Sequence, residues 1–170
     1  MNKSLVNCVL LPVGSGHLLL PNTAVASMIS YSKPAPVPDA PGWLLGMINW
    51  QGWYLPVASW PALLDPEHIA STDNARIAVI KNLHQHSDMP YFAIIAQGFP
   101  RLLSVSEEDL AEEDLGVEDL ADIDQQTPDS TSEAGTECLL TRIQMHEHSV
   151  DVPALPALGA YISRHLQRSD

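Results

Sequence analysis

Residues Leu44–Trp60, LLGMINWQGWYLPVASW, decide the fold of this chain and hold three of its four tryptophans, Trp50, Trp53 and Trp60. Apolar residues alternate up to Gln51-Gly52, and the alternation resumes through Trp53, Leu55 and Val57. Period-two patterning on either side of a two-residue, glycine-containing break predicts a β-hairpin. Gly52 supplies the positive φ that such a turn needs. Gly46, inside the first strand, predicts a bulge or a close approach of another backbone. No side chain in the stretch carries obvious catalytic chemistry, so it reads as a surface built to hold shape.

Working outward, the flanks repeat the pattern. Val6–Val13, a turn at Gly14-Ser15-Gly16 and His17–Leu20 predict an opening hairpin. The glycines lack the following helix and lysine that a phosphate loop requires. Ala24–Ile29 is a short segment of ambiguous type. Ser32–Pro41, with Pro34, Pro36, Pro38 and Pro41, predicts an extended loop, and Trp60–Leu64 a helical turn. After a polar boundary at Asp65–Asn74, Ala75–Asn82 predicts a strand. Tyr91–Val105 predicts two strands bent at Gly98-Phe99-Pro100. Cys138–Met145 and Val150–Val152 predict a closing hairpin. Leu158, Tyr161, Ile162, His165 and Leu166 recur at helical spacing within Ala157–Gln167, an amphipathic terminal helix. Many short strands bounded by 14 prolines make an all-β chain in two halves of similar outline. Two small barrels or one β-sandwich would both give this pattern.

Bulk properties narrow the function. With 170 residues, 45% of them hydrophobic, the chain is long enough to bury a core. Its net charge of −13 resides in one place: residues 107–137 contain thirteen acidic side chains and no Lys or Arg, and the flanking blocks are each neutral. A neutral body without a basic face argues against nucleic acid as a partner. EEDLAEEDLGVEDLADID spaces Leu110, Leu115 and Leu120 five apart, neither a helical nor a strand stripe, and reads as a solvated loop or as an arm for a basic partner. Cys8 and Cys138 lie in apolar runs, as buried thiols of a reducing compartment do. The N-terminal apolar run is broken by Pro12, Gly14 and Gly16, unlike a signal peptide, and no run reaches the length of a membrane span. A cytoplasmic protein is expected.

At the hairpin the sequence resembles the CheW-like family. GMINWQGWYLPVASW follows that family's G-x-x-N-x-R-G-x-x-x-P-V-x-D-L pattern at Gly46, Asn49, Gly52, Pro56 and Val57. VLLPVGSGHLLLPNTAVASMI resembles its opening hairpin, ARIAVIKN and FAIIAQGFPRLLSVSEEDL its later strands, and ECLLTRIQMHEHSVDVPAL its closing hairpin. The resemblance spans nearly the whole chain, with residues 107–137 as an enlargement. It implies two intertwined SH3-like β-barrel subdomains with short helices and a C-terminal amphipathic helix. The expected partition is residues 1–70 and 71–156 for the two barrels, then 157–170.

The resemblance further implies a non-catalytic adaptor without cofactors. Such adaptors couple a chemoreceptor's cytoplasmic tip to the regulatory domain of a CheA-type histidine kinase, and associate with membrane-proximal receptor arrays. The chain looks most like the ChpC-type members of type IV pilus (twitching) chemosensory systems. The partner-binding residues it points to are Ala24, Val25, Ser27 and Met28, with Leu45, Met47, Asn49, Trp50, Gln51 and Trp53 on the hairpin. Gly46, Gly52, Pro56 and Val57 are the structural motif. Two departures stand out: Gln51 replaces the motif Arg and Ser59 the motif Asp. A Glu that often pairs with that Arg aligns with Ser27. Losing both charges together avoids stranding one, but Gln cannot form the bidentate clamp that Arg forms.

Other chemistry finds no complete motif in the sequence. His84-x-His86 and His146-x-His148 would make a zinc site only if two turns met, and neither spacing is a metal motif. No HExxH helix or G-x-S-x-G elbow is present, and Cys8 has no basic neighbour in sequence. A metal-dependent enzyme, or a scaffold binding other CheW-like subunits, are the alternatives.

Overall fold

The computed structural model describes residues 5–14, 16–84, 88–106, 137–145 and 148–167. Residues 107–136 of the acidic segment, His86 and His146 therefore lie outside the described residues. Among the described residues ten strands form two five-stranded sheets. The first has the order β8-β1-β2-β10-β9, from Arg101–Ser106, Leu5–Val13, Gly16–Pro21, His148–Pro153 and Leu139–Met145. The second has the order β3-β6-β7-β5-β4, from Val25–Ser30, Arg76–Lys81, Tyr91–Ala96, Trp53–Ala58 and Leu44–Trp50. Among the described residues two α-helices, α1, Trp60–Leu64, and α2, Leu155–Gln167, and one 3₁₀ turn at Asn22–Ala24 complete the fold.

The sheets share one plan. In each, an antiparallel hairpin (β1–β2 or β6–β7) meets a second hairpin (β9–β10 or β4–β5) through a two-residue parallel pairing. These pairings are Val150↔His17 with Asp151↔Leu18, and Val57↔Ala93 with Ala58↔Ile94. In each, the strand entering that pairing runs on into a helix, β5 into α1 and β10 into α2. Ser59 caps α1: its Oγ accepts from the Ala62 N–H at 3.4 Å, and Pro61 fits the first turn, where no intrahelical donor is required.

Each sheet curls around its own small core. Barrel two encloses Ile48, Leu55, Val57, Ile77, Val79, Ala93 and Ile95. Barrel one encloses Cys8, Leu19, Val105, Ile143 and Val150. The largest core lies between the barrels. There Leu11, Leu18 and Leu20 of the first sheet face Ala78, Ile80, Phe92 and Ile94 of the second, and the helices add Trp60, Leu63, Leu158 and Ile162. This explains why IAVI and FAIIA show no alternation: β6 and β7 are buried on both faces, one toward barrel two and one toward the central layer. Alternation survives where one face meets water, as in β4.

The expected partition at residue 70 does not follow the sheets. Barrel two is the contiguous unit, residues 25–96, and barrel one is assembled from both ends of the chain. The physical reason is that β2 finds its parallel neighbour in β10, not in β3, and so the chain leaves barrel one after its first hairpin and returns to close it. The terminal helix, expected from residue 157, begins at Leu155. It docks through Trp43, whose ring lies 5.6 Å from Tyr161 and 5.3 Å from His165.

Candidate partner-binding site

The hairpin β4–β5 forms as its sequence predicts, with Trp50 opposite Trp53. Gln51 and Gly52 both take positive φ, 49° and 85°, the two central residues of a turn matched to the strands' twist. Asn49 steadies it, its Oδ1 accepting from the Gly52 N–H at 3.3 Å. Gly46 has φ 142°, and a Cβ there would stand 2.3 Å from the Ala35 carbonyl oxygen. The proline-rich loop presses on the strand at that point: Ala35 and Met47 exchange both backbone hydrogen bonds at 2.8 Å. Because Met47 turns its backbone groups to Ala35, Pro56 opposite it faces no donor requirement from β4. Gly46, Gly52 and Pro56 are thus explained by backbone geometry, and Val57 by its place in the core of barrel two.

The remaining expected residues divide by exposure. Val25, Ser27 and Met28 lie on β3, an edge strand that is only partly buried from Val25 to Ile29. A bulge at Ala26 shifts its register against β6. Ala24 is 3% exposed and belongs to the central core, so its side chain is withdrawn from any contact surface. Leu45 is half-buried over barrel two, and Met47 is half-buried. Trp50 stands edge-on to Tyr91 at 5.1 Å, with Trp53 at 6.5 Å on the same ring. Trp53 remains 47% exposed and its neighbour Tyr54 70%. Tyr54 and Tyr91 were not singled out by sequence. The signal for Tyr54 was present, since it alternates with buried Leu55, but Tyr91's role as the ring beneath both tryptophans is a tertiary fact. Gln51 is exposed at the tip and Ser27 lies on β3; neither side chain bonds to the other. β3 and the hairpin from Leu44 to Ala58 contain no ionisable group except the Tyr54 phenol.

A second polar feature lies deeper, where α1 meets the first sheet. The Trp60 indole N–H donates to Asp151 Oδ2 at 2.8 Å, and Arg142 Nε donates to Asp151 Oδ1 at 2.6 Å. The hydrogen bond to Asp151 is the main cause of Arg142's raised pKa, against the effect of burial. Trp60, 2% exposed, therefore ties the hairpin's far end to barrel one and has no surface role. Burial raises the Cys8 thiol pKa and pushes that of Cys138 up to about 12, the latter helped by the Glu137 charge and opposed by Arg164. Neither thiol is bonded to the other. No group of three or more metal-ligating side chains occurs among the described residues, and the four-histidine expectation rests partly on residues outside them.

The family model described as the CheW-like domain matches residues 7–126. The chain belongs to the CheW-like family. Among solved structures, a scaffolding protein, TtCheW from Thermoanaerobacter tengcongensis, is similar in fold with a TM-score of 0.61. The two are 14% identical, and the alignment covers 91% of this chain and 92% of that one. No curated protein matches the chain in sequence. In this CheW-like chain the family match ends before β9, β10 and α2, whereas the structural match extends over nearly all of the fold. Among the described residues, no helix is long and apolar enough to cross a membrane.

Proposed function

We propose that this CheW-like chain is a non-catalytic adaptor that couples chemoreceptor cytoplasmic tips to the regulatory domain of a CheA-type histidine kinase. Its setting would be a cytoplasmic chemosensory array controlling type IV pilus (twitching) motility, in the manner of the ChpC-type branch. The observation that carries the reading is the absence of charged side chains from β3 and the hairpin β4–β5, on a chain whose family is that of such adaptors. Half-buried Val25 and Met28 on one edge strand of the second sheet, and exposed Trp53 and Tyr54 on the hairpin at its other edge, supply apolar anchors at fixed positions. Gln51 offers hydrogen bonds at the tip in place of a charged clamp.

The test is titration calorimetry of the full chain against the receptor tip. Met28→Asp and Leu45→Asp are each expected to weaken binding at least about tenfold, equivalent to ~1.4 kcal/mol. Trp53→Ala, at an exposed position, controls for any loss of folding. Unchanged affinity in all three variants would overturn the assignment of this surface. Copurification with the kinase regulatory domain checks the other half of the coupling. A second reading, a scaffold that binds another CheW-like subunit, is favoured by the missing charges at Gln51 and Ser27. It predicts copurification with such a subunit and no affinity for the receptor tip.

A further inference from the structure

The loop between β7 and β8 carries an aromatic side chain that the fold leaves in water. Phe99 is 71% exposed, and the guanidinium carbon of Arg76 lies 3.7 Å from its ring centroid. The loop is braced without help from that ring. The Gln97 N–H donates to the Pro12 carbonyl at 2.9 Å, its Oε1 accepts from the Gly14 N–H, and its Nε2 donates to the Ser71 carbonyl at 3.0 Å. Gly98 adds a φ of 130°, open to glycine but strained for other residues. Facing the loop is the stretch Asn74–Arg76, and an open cleft of about 370 Å³ lies between them.

Stacking occupies one face of the guanidinium and leaves its edge N–H donors to be satisfied elsewhere. Among the described residues no carboxylate pairs with Arg76. Arg142 and Arg164, by contrast, each hold a carboxylate at 2.6 Å. A pre-positioned cation beside an exposed ring is the composition of an interface anchor, since arginine and aromatic residues carry most of the energy at such sites. We propose that Arg76 and Phe99 form a docking site for an acidic, apolar segment of a partner protein. A carboxylate side chain would take the guanidinium edge in a bidentate pair, and a flanking apolar residue would cover Phe99. A nucleic acid fits poorly, because a phosphate backbone requires several cations and the lining of this cleft supplies one, Arg76. Ser30 at the end of β3 pairs with Arg76, so the site adjoins the surface proposed above but does not depend on it.

The test is an NMR titration of the full chain with a blocked Glu-Leu dipeptide, observing the Arg76 Nε–Hε resonance and the Phe99 ring protons. The blocked Gln-Leu dipeptide and inorganic phosphate are the comparison ligands. Saturable shifts with Glu-Leu are expected, with affinity roughly tenfold weaker for Gln-Leu and for the Arg76→Lys variant, which keeps charge but loses the fork. Arg76→Gln should abolish the response while the thermal midpoint stays close to that of the parent. Three results would overturn the proposal: no shift at millimolar dipeptide, equal affinity for the Gln peptide, or phosphate binding as tightly as Glu-Leu. Unchanged binding by Arg76→Gln would overturn it as well.

Discussion

The two barrels have the same strand plan but are reached by different routes. Barrel two uses β3 to β7, residues 25–96 in one run, and its hairpins are joined by local connections. Barrel one brings β1 and β2 from one end of the chain to β9 and β10 from the other, with β8 along its edge. Register makes the contrast concrete: Leu10 pairs with Arg101, and His17 with Val150. Closing such long loops costs chain entropy before any contact is made. The interiors differ too: among the described residues seven buried apolar side chains line barrel two and five line barrel one, including a thiol. What unites the barrels is the central layer, which is larger than either interior and is formed by both sheets and both helices. An architecture of this kind is expected to unfold as one cooperative unit although it contains two barrels.

The largest expected effect falls on that shared layer. Phe92 is fully buried there, and Phe92→Ala is expected to cost about 4 kcal/mol. Tryptophan fluorescence and far-ultraviolet circular dichroism should still report one coincident denaturant transition. Separate transitions would mean that the barrels fold independently and that the central layer does not couple them. A matched pair probes the routes. Val57 and Val150 are both fully buried and both stand in a parallel pairing, one in each barrel. Each Val→Ala change is expected to cost about 2 kcal/mol, from lost burial plus a cavity. The local barrel should form earlier, so Val57→Ala slows folding, and Val150→Ala mainly speeds unfolding. Stopped-flow chevrons that reverse this division would break the comparison.

The smallest effect concerns pH. Cys138 opens the return of the chain to barrel one, and its pKa rises from an ordinary 9.0 to about 12 in the folded protein. A raised folded-state value means that the unfolded chain loses its proton first as pH increases. The stabilisation is therefore complete below about pH 9 and is lost as pH climbs toward 12. Unfolding free energy should fall between pH 9 and 10.5 by at most about 1.4 kcal/mol per unit from this group. Cys138→Ala should flatten that part of the slope, and an identical slope in parent and variant would count against the burial assigned to this thiol.

Most of what proved legible is local. The hairpins β1–β2, β4–β5 and β9–β10 follow from alternation and turn residues. The bend at Gly98-Phe99-Pro100 and the terminal helix also came within a residue or two. Gly46 was readable as a site of close approach, though not that Ala35 would be its neighbour. Ala24 is buried, and a lone alanine in a segment of ambiguous type looks the same in sequence whether it faces water or a core. The Trp60–Asp151–Arg142 connection was invisible: its members lie 91 and 9 residues apart from Asp151, and nothing near any of them in sequence marks the bond.

By itself the sequence determined the class of structure, the turn chemistry of Gln51-Gly52 and the resemblance carried by Gly46, Asn49, Gly52, Pro56 and Val57. Those features depend on backbone freedom and side-chain alternation within a few residues, which composition and spacing encode directly. Only the tertiary structure decided which hairpins share a barrel, where the main core lies and which tryptophans are free to meet a partner. Two-residue parallel pairings leave no periodic trace in a sequence, and a strand buried on both faces loses the alternation that would orient it. That Val25 and Met28 of β3 pack against the central layer, and Trp50 of the hairpin against barrel two, was decided only once both barrels had closed.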